Sequence, residues 1–218
     1  MPSRRPLDIY KANYGTGTAG DMGLHSVFLQ VKQSFNIKRV LYPGSYLDVT
    51  PSLYFPHVSY VDSLSGISKM LADTDLREYI DRSKLYPEPA DIRCYEQDYH
   101  TFDTAPKESF DSLISLNAGL ISQSCGRFLA PGGLLVANDE HYDARRAFVD
   151  PSYSLAGVFV GDDCRLETAP AILASCFKTS KGVTLTAEMV DADLDRPPSR
   201  ARFKTVEAAA AYLFKKRG

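Results

Sequence analysis

The chain has 218 residues, a formal net charge of −2 and 44% hydrophobic residues, which suits one globular domain with a sizeable core. That balance excludes a nucleic-acid binder working by bulk positive charge, and no apolar run approaches the roughly 20 residues that cross a bilayer. The four cysteines (Cys94, Cys125, Cys164, Cys176) are scattered without a C-x-x-C pair, so they read as reduced thiols of a cytoplasmic protein rather than a disulfide frame or zinc site.

The opening MPSRRPLDIY is charged with no apolar run behind it, so no signal peptide is expected. Residues 1–20 are polar and rich in glycine and threonine, and PLDIYKANY makes a poor strand. Leu24, Val27, Phe28, Val31 and Phe35 then recur at helical spacing, with Asp21 placed as a cap. Residues 40–42 predict a short strand closed by Pro43-Gly44, and residues 50–55 a short helix with Pro51 in its first turn. A strand over 57–62, a helix over 65–83 and a strand over 92–97 follow. Residues 110–116 read as a fourth strand and 120–129 as a helix stopped by Pro131-Gly132-Gly133. Residues 134–138 form a near-continuous apolar run of the kind buried on both faces.

Beyond Asp139 the signal weakens. Residues 142–148 suit a helix and 154–160 a strand. Residues 171–177 and 183–190 stay ambiguous, DADLDRPPSR (191–200) reads as an exposed loop, and EAAAAYLFKKR is placed as a last strand over a helix. Strands alternating with helices imply a parallel sheet with right-handed crossovers.

Gly15, Gly17 and Gly20 spell G-x-G-x-x-G, but no good strand precedes them and no acid closes a second strand about 20 residues on. A segment entering a helix, or a lid over a ligand held elsewhere, suits them better than a dinucleotide site. The better-placed stretch is RVLYPGSYLDVTPSLYFPHVSYVD, residues 39–62. Its turn follows the first strand, at the end of an open α/β sheet where ligands bind. Gly44 has no Cβ to hold a ligand off, and Asp62 closes the second strand as an acceptor for both hydroxyls of a ribose. Asp98, beside Tyr99, closes the third, where an acid reads a base edge and an aromatic packs on the ring.

Together with the stretches that follow, this resembles the class I S-adenosylmethionine (SAM) dependent methyltransferases over roughly residues 39–139. RVLYPGS stands where the family has its glycine-rich turn and VSYVD where it has the ribose-binding acid. EQDYHTF matches the third strand, SFDSLISLNA the fourth, and FLAPGGLLVAND the helix end, P-G-G turn and fifth strand. AYLFKK resembles the antiparallel last strand. The resemblance implies a Rossmann-like methyltransferase fold: a mostly parallel seven-stranded sheet flanked by helices, with an antiparallel last strand. Residues 1–38 form an N-terminal segment and lid helix, and 39–218 the methyltransferase-like domain. It implies SAM as cofactor, S-adenosylhomocysteine as product, and a cofactor site at Pro43, Gly44, Ser45, Tyr46, Asp62, Asp98, Tyr99, Ser115 and Asn117. The turn departs from the family pattern, since Tyr42 replaces the first-strand acid and Tyr46 and Asp48 replace two glycines.

Methyl transfer needs alignment and a dry cavity above all, and a base only where the acceptor must lose a proton. The candidates for that chemistry are His141 as base and Asp139 beside it. Asn138 and Tyr142 are placed against the acceptor, with His25 and Tyr14 reaching over if the N-terminal helix folds back. A small-molecule acceptor is expected, with protein or RNA as alternatives. SLNAG lacks the signature of DNA amino-methylating enzymes, so DNA is disfavoured, and no ligand spacing points to a metal. The competing reading is a non-catalytic protein of the same fold, acting by binding or interaction.

Overall fold

In the computed structural model, which describes residues 5–15, 24–203 and 209–218, the alternation of apolar side chains splits each central strand between two cores. Val40 and Tyr42 of β1 (Arg39–Pro43) enter one core, and Leu41 between them enters the other. Ile114 and Leu113 of β4 (Phe110–Ser115) divide in the same way, as do Val136 and Leu135 of β5 (Leu129–Ala137). A strand apolar on both faces must be covered on both faces, and helices supply the cover.

Strands β2 (His57–Asp62) and β3 (Asp91–Glu96) continue the parallel sheet outward from β1, with Val40 opposite Val58 and Val58 opposite Ile92. On the other side β4 and then β5 also run parallel. After β6 (Tyr153–Val160) and the short β7 (Arg165–Glu167), the chain returns as β8 (Ala211–Lys216), inserted antiparallel between β5 and β6. The order is β3-β2-β1-β4-β5-β8-β6-β7. Strand order reverses between β1 and β4, which makes the carboxyl ends of those two strands the switch point.

The described sheet has eight strands where seven are expected. The added β7 is a three-residue edge strand, reached through a turn at Gly161 (φ +76°) and too short to show a period in the sequence. Gln30 closes its hairpin edge, accepting from Leu166 N at 2.7 Å and donating to the Cys164 carbonyl.

The helices also differ from expectation in places. PLDIYKANY is helical: α1 (Pro6–Asn13) starts on Pro6, carries Asp8 in its first turn and buries Tyr10 completely. The second helix, α2 (His25–Ser34), buries Val27, Phe28 and Val31 in the same core. The glycines at 17 and 20, the cap at Asp21 and residues 204–208 of the tail segment lie outside the described residues. The helix expected over 65–83 is two, α3 (Ile67–Leu71) and α4 (Thr74–Ser83), because the Asp73 carboxylate accepts from Leu76 N at 3.0 Å and starts a new helix. The segment over 50–55 is a 3₁₀ turn at Thr50–Leu53, and α5 (Ile121–Cys125) passes into another at Gly126–Phe128. Pro131-Gly132-Gly133 does not stop before a strand but bulges within β5: Leu129 pairs with Phe110 and Leu134 with Ser112. Three further helices, α6 (Asp143–Val149), α7 (Pro170–Leu173) and α8 (Ala187–Asp191), lie on the second core's side. Among the described residues no helix is long and apolar enough to cross a membrane.

Candidate functional site

The turn leaving β1 is built by backbone bonds from Gly44 N to Val61 O (2.7 Å) and from Asp48 N to Ser45 O (3.0 Å). Gly44 takes φ +67°, and a Cβ added there would lie 2.4 Å from the Ala118 Cβ. Glycine is therefore required by the close packing of the loop after β4, in addition to any ligand. Tyr99 completes this contact by donating its hydroxyl to the Ala118 carbonyl.

Asp62 stands at the end of β2, as expected. One carboxylate oxygen accepts from Tyr46 N (2.8 Å) and the other from Leu64 N (2.9 Å). Each oxygen keeps a second acceptor position. Tyr46 holds a left-handed backbone, φ +49°, and its residue is 36% exposed, so it does not plug the turn. Asp48 is turned inward. It is buried, accepting from the Tyr42 hydroxyl (3.0 Å) and from Thr50 N (3.0 Å), so its charge is spent in the core. Tyr14 comes close to this turn: burial, with the charges of Asp48 and Asp62 and the phenol of Tyr46, pushes its own phenol up to about 12. His25 fastens that segment, one ring nitrogen 3.0 Å from the Tyr54 hydroxyl and the other 2.9 Å from the Tyr14 carbonyl.

At the end of β3 the exposed Asp98 accepts from His100 N (2.9 Å) and pairs with the His100 ring (2.8 Å). These bonds hold its carboxyl below the ordinary 3.8, as an anion at neutral pH. Asn117, at φ +58°, and Asn138 join the ends of β4 and β5: Asn138 Nδ2 donates to Asn117 Oδ1 at 2.7 Å, and Asn117 N donates to Asn138 Oδ1 at 3.3 Å.

Of the other candidates at this end, Asp139 and Ser115 are engaged by buried partners. Asp139 is clamped by the buried Arg145, whose Nε lies 2.8 Å from Oδ2, and it accepts from Arg145 N in the first turn of α6 at 3.0 Å. Engaged this way it is no free base. The Ser115 hydroxyl points to the buried Asp143 carboxylate (2.5 Å) rather than into the cleft. Asp143 also accepts from Ser122 N (2.9 Å) and the Ser122 hydroxyl (2.5 Å). Burial raises its carboxyl pKa in spite of those bonds. His141 is exposed on the loop between Asp139 and α6, and Tyr142 is buried at φ +68° with its ring under the Arg145 guanidinium (4.6 Å).

Sequence reasoning missed Asp143, Arg145 and Asp193. DARR at a helix start reads as a solvated charge cluster, and Asp193 sits in the segment expected to be an exposed loop. Asp193 is instead 0% exposed and accepts from Arg202 N (2.8 Å) and Phe203 N (3.0 Å). The helix-cap habit of aspartate was the available signal for Asp143 alone. No group of three metal-ligating side chains occurs among the described residues.

Neither a protein-family model nor a curated protein matches the chain. Among solved structures, the N-methyltransferase NodS from Bradyrhizobium japonicum aligns at 15% identity and TM-score 0.40, over 89% of this chain and 94% of that one. YcgJ from Bacillus subtilis aligns at 14% identity and TM-score 0.41, over 89% and 99%. The match to the 4+2 cyclase SpnF, at 13% identity and TM-score 0.42, spans 55% of this chain and 44% of that protein, under half its length. Such values leave the assignment to the sheet itself. A parallel β3-β2-β1-β4-β5 run, with the last strand antiparallel between β5 and β6 and helices on both faces, is a Rossmann-like α/β fold.

Proposed function

We propose that the chain is a SAM-dependent methyltransferase acting on a small molecule, with the cofactor held at the carboxyl ends of β1 to β4. The observation that carries this reading is the β1 turn. Asp62 keeps a free acceptor position on each oxygen beside an exposed Tyr46, and the inward turn of Asp48 removes the charge that would repel the cofactor's carboxylate. The residues present fit the group: Asp62 receives the ribose hydroxyls, Asp98 and Tyr99 stand on the base side, and the turn Pro43, Gly44, Ser45 and Tyr46 borders the rest. SAM, when bound, supplies a methyl group already activated on a sulfonium.

What remains for this chain is to align, cover and keep dry. Tyr14, fixed through His25, covers the turn from the N-terminal side. The Asn117–Asn138 pair and the exposed His141 mark the acceptor side, and His141 is the candidate base there if the acceptor must lose a proton. Ser115 and Asp139 support this wall through Asp143 and Arg145 rather than touching ligand. The second reading, a binding protein of the same fold without catalysis, draws on the Gly44–Ala118 contact sealed by Tyr99, which takes up the space a glycine would leave to a ligand. Equilibrium dialysis of SAM against wild type and Asp62→Ala tests the placement. Loss of binding in the variant is expected, and unchanged binding overturns the ribose site.

A further inference from the structure

Between β7 and β8 the segments 179–189 and 201–203 enclose a cavity of about 540 Å³, a volume that suits a small organic ligand. Both walls are fixed. Arg202 N and Phe203 N donate to the fully buried Asp193, and Arg145 Nη1 donates to the Phe203 carbonyl at 3.3 Å. Opposite, Thr179 N donates to Val183 O (2.9 Å) and Gly182 N to Thr179 O (2.8 Å), with Gly182 at φ +74°. Burying a carboxylate and a guanidinium carries a desolvation cost of several kcal/mol. That cost is hard to account for if the position of this surface loop did not matter.

The lining has a definite character. Val183 is 51% exposed, and Met189 and Phe203 are half-buried, so apolar surface faces the opening. Lys181 and Arg202 bring two cations, and none of the described residues lining the cavity is acidic. Neither cation has an ion-pair partner among the described residues. The Ser180 hydroxyl adds a donor.

We infer that this cavity binds a small amphipathic anion, its apolar body against Val183, Met189 and Phe203 and its carboxylate, sulfonate or phosphate toward Lys181 and Arg202. The inference goes beyond the SAM reading and stands without it. Fluorescence titration of the full chain with anilinonaphthalene sulfonate tests it. One saturable site per chain is expected, displaced by decanoate and not by decylamine. Lys181→Ala/Arg202→Ala weakens it about tenfold, roughly 1.4 kcal/mol, with the circular dichroism spectrum unchanged. Val183→Asp, which places an acid in the cavity, abolishes it. Absence of a saturable site, unchanged affinity in the double variant, or equal displacement by decylamine overturns the inference. Because no arm contains SAM, failure here is distinct from failure of the methyltransferase reading.

Discussion

Gly44 offers the sharpest test of how the β1 turn is built. Alanine there meets two separate costs. The left-handed φ of +67° costs an L-residue about 1–2 kcal/mol. The new methyl falls 2.4 Å from the Ala118 Cβ, an overpacking worth about 1–3 kcal/mol. Gly44→Ala should therefore lose about 3 kcal/mol, and at this chain length roughly 2–4 °C of Tm goes with each kcal/mol. Ala118→Gly removes the obstructing atom and leaves the Ala118 Cα at an ordinary 3.7 Å. Its own cost is near 0.5–1 kcal/mol. In the double variant the overpacking cost should vanish while the backbone cost stays, giving a favourable coupling of about 1–3 kcal/mol in a double-mutant cycle. Urea unfolding of the four proteins measures it. A coupling near zero, with Gly44→Ala still destabilised, would mean that Ala118 is not what demands glycine here.

Other positions give equally direct outcomes. Arg145→Leu leaves Asp139 unpaired and removes a donor to Phe203, so it should cost about 3–5 kcal/mol by chemical denaturation; a loss near that of a surface substitution would contradict the buried clamp. Asp143 has a raised carboxyl pKa in the folded chain, so the native state holds its proton more tightly than the unfolded chain. Its effect on stability therefore becomes more favourable as pH falls through that raised value toward the ordinary 3.8. Wild type should gain on Asp143→Asn across that window, and parallel pH–stability curves for the two would contradict it. His25→Ala frees the Tyr14 carbonyl and the Tyr54 hydroxyl, so limited proteolysis should cut near α1 faster in the variant while the rest of the chain resists.

The sheet was legible because burial on both faces writes itself as continuous apolar runs. Val40, Leu41 and Tyr42 declare a central strand whichever face each one takes. Asp62 and Asp98 were legible by position, at the ends of such runs. Two kinds of feature were not. Short elements carry too few residues to show a period, which hid β7 and made α3 and α4 look like one helix across Asp73. Charges give no sign of burial in their own identity: Asp143, Arg145 and Asp193 form hydrogen-bonded interior groups, yet their neighbourhoods, DARR and DADLDRPPSR, have the composition of solvated surface. Ser115 and Asp139 were drawn toward the ligand for the same reason, since only the fold reveals the buried partners that hold them. PLDIYKANY failed as a strand because it is a helix, a reading that Pro6 at its start and Asp8 in its first turn support.

The central claim is that the β1 turn, with one glycine and an exposed tyrosine, still takes SAM. Calorimetric titration of the purified chain with SAM and with S-adenosylhomocysteine tests it most directly. The account predicts binding in the micromolar range, about −8 kcal/mol, for both ligands. No heat, together with no thermal shift at millimolar ligand, would contradict it and leave the Gly44–Ala118 contact as a closed site.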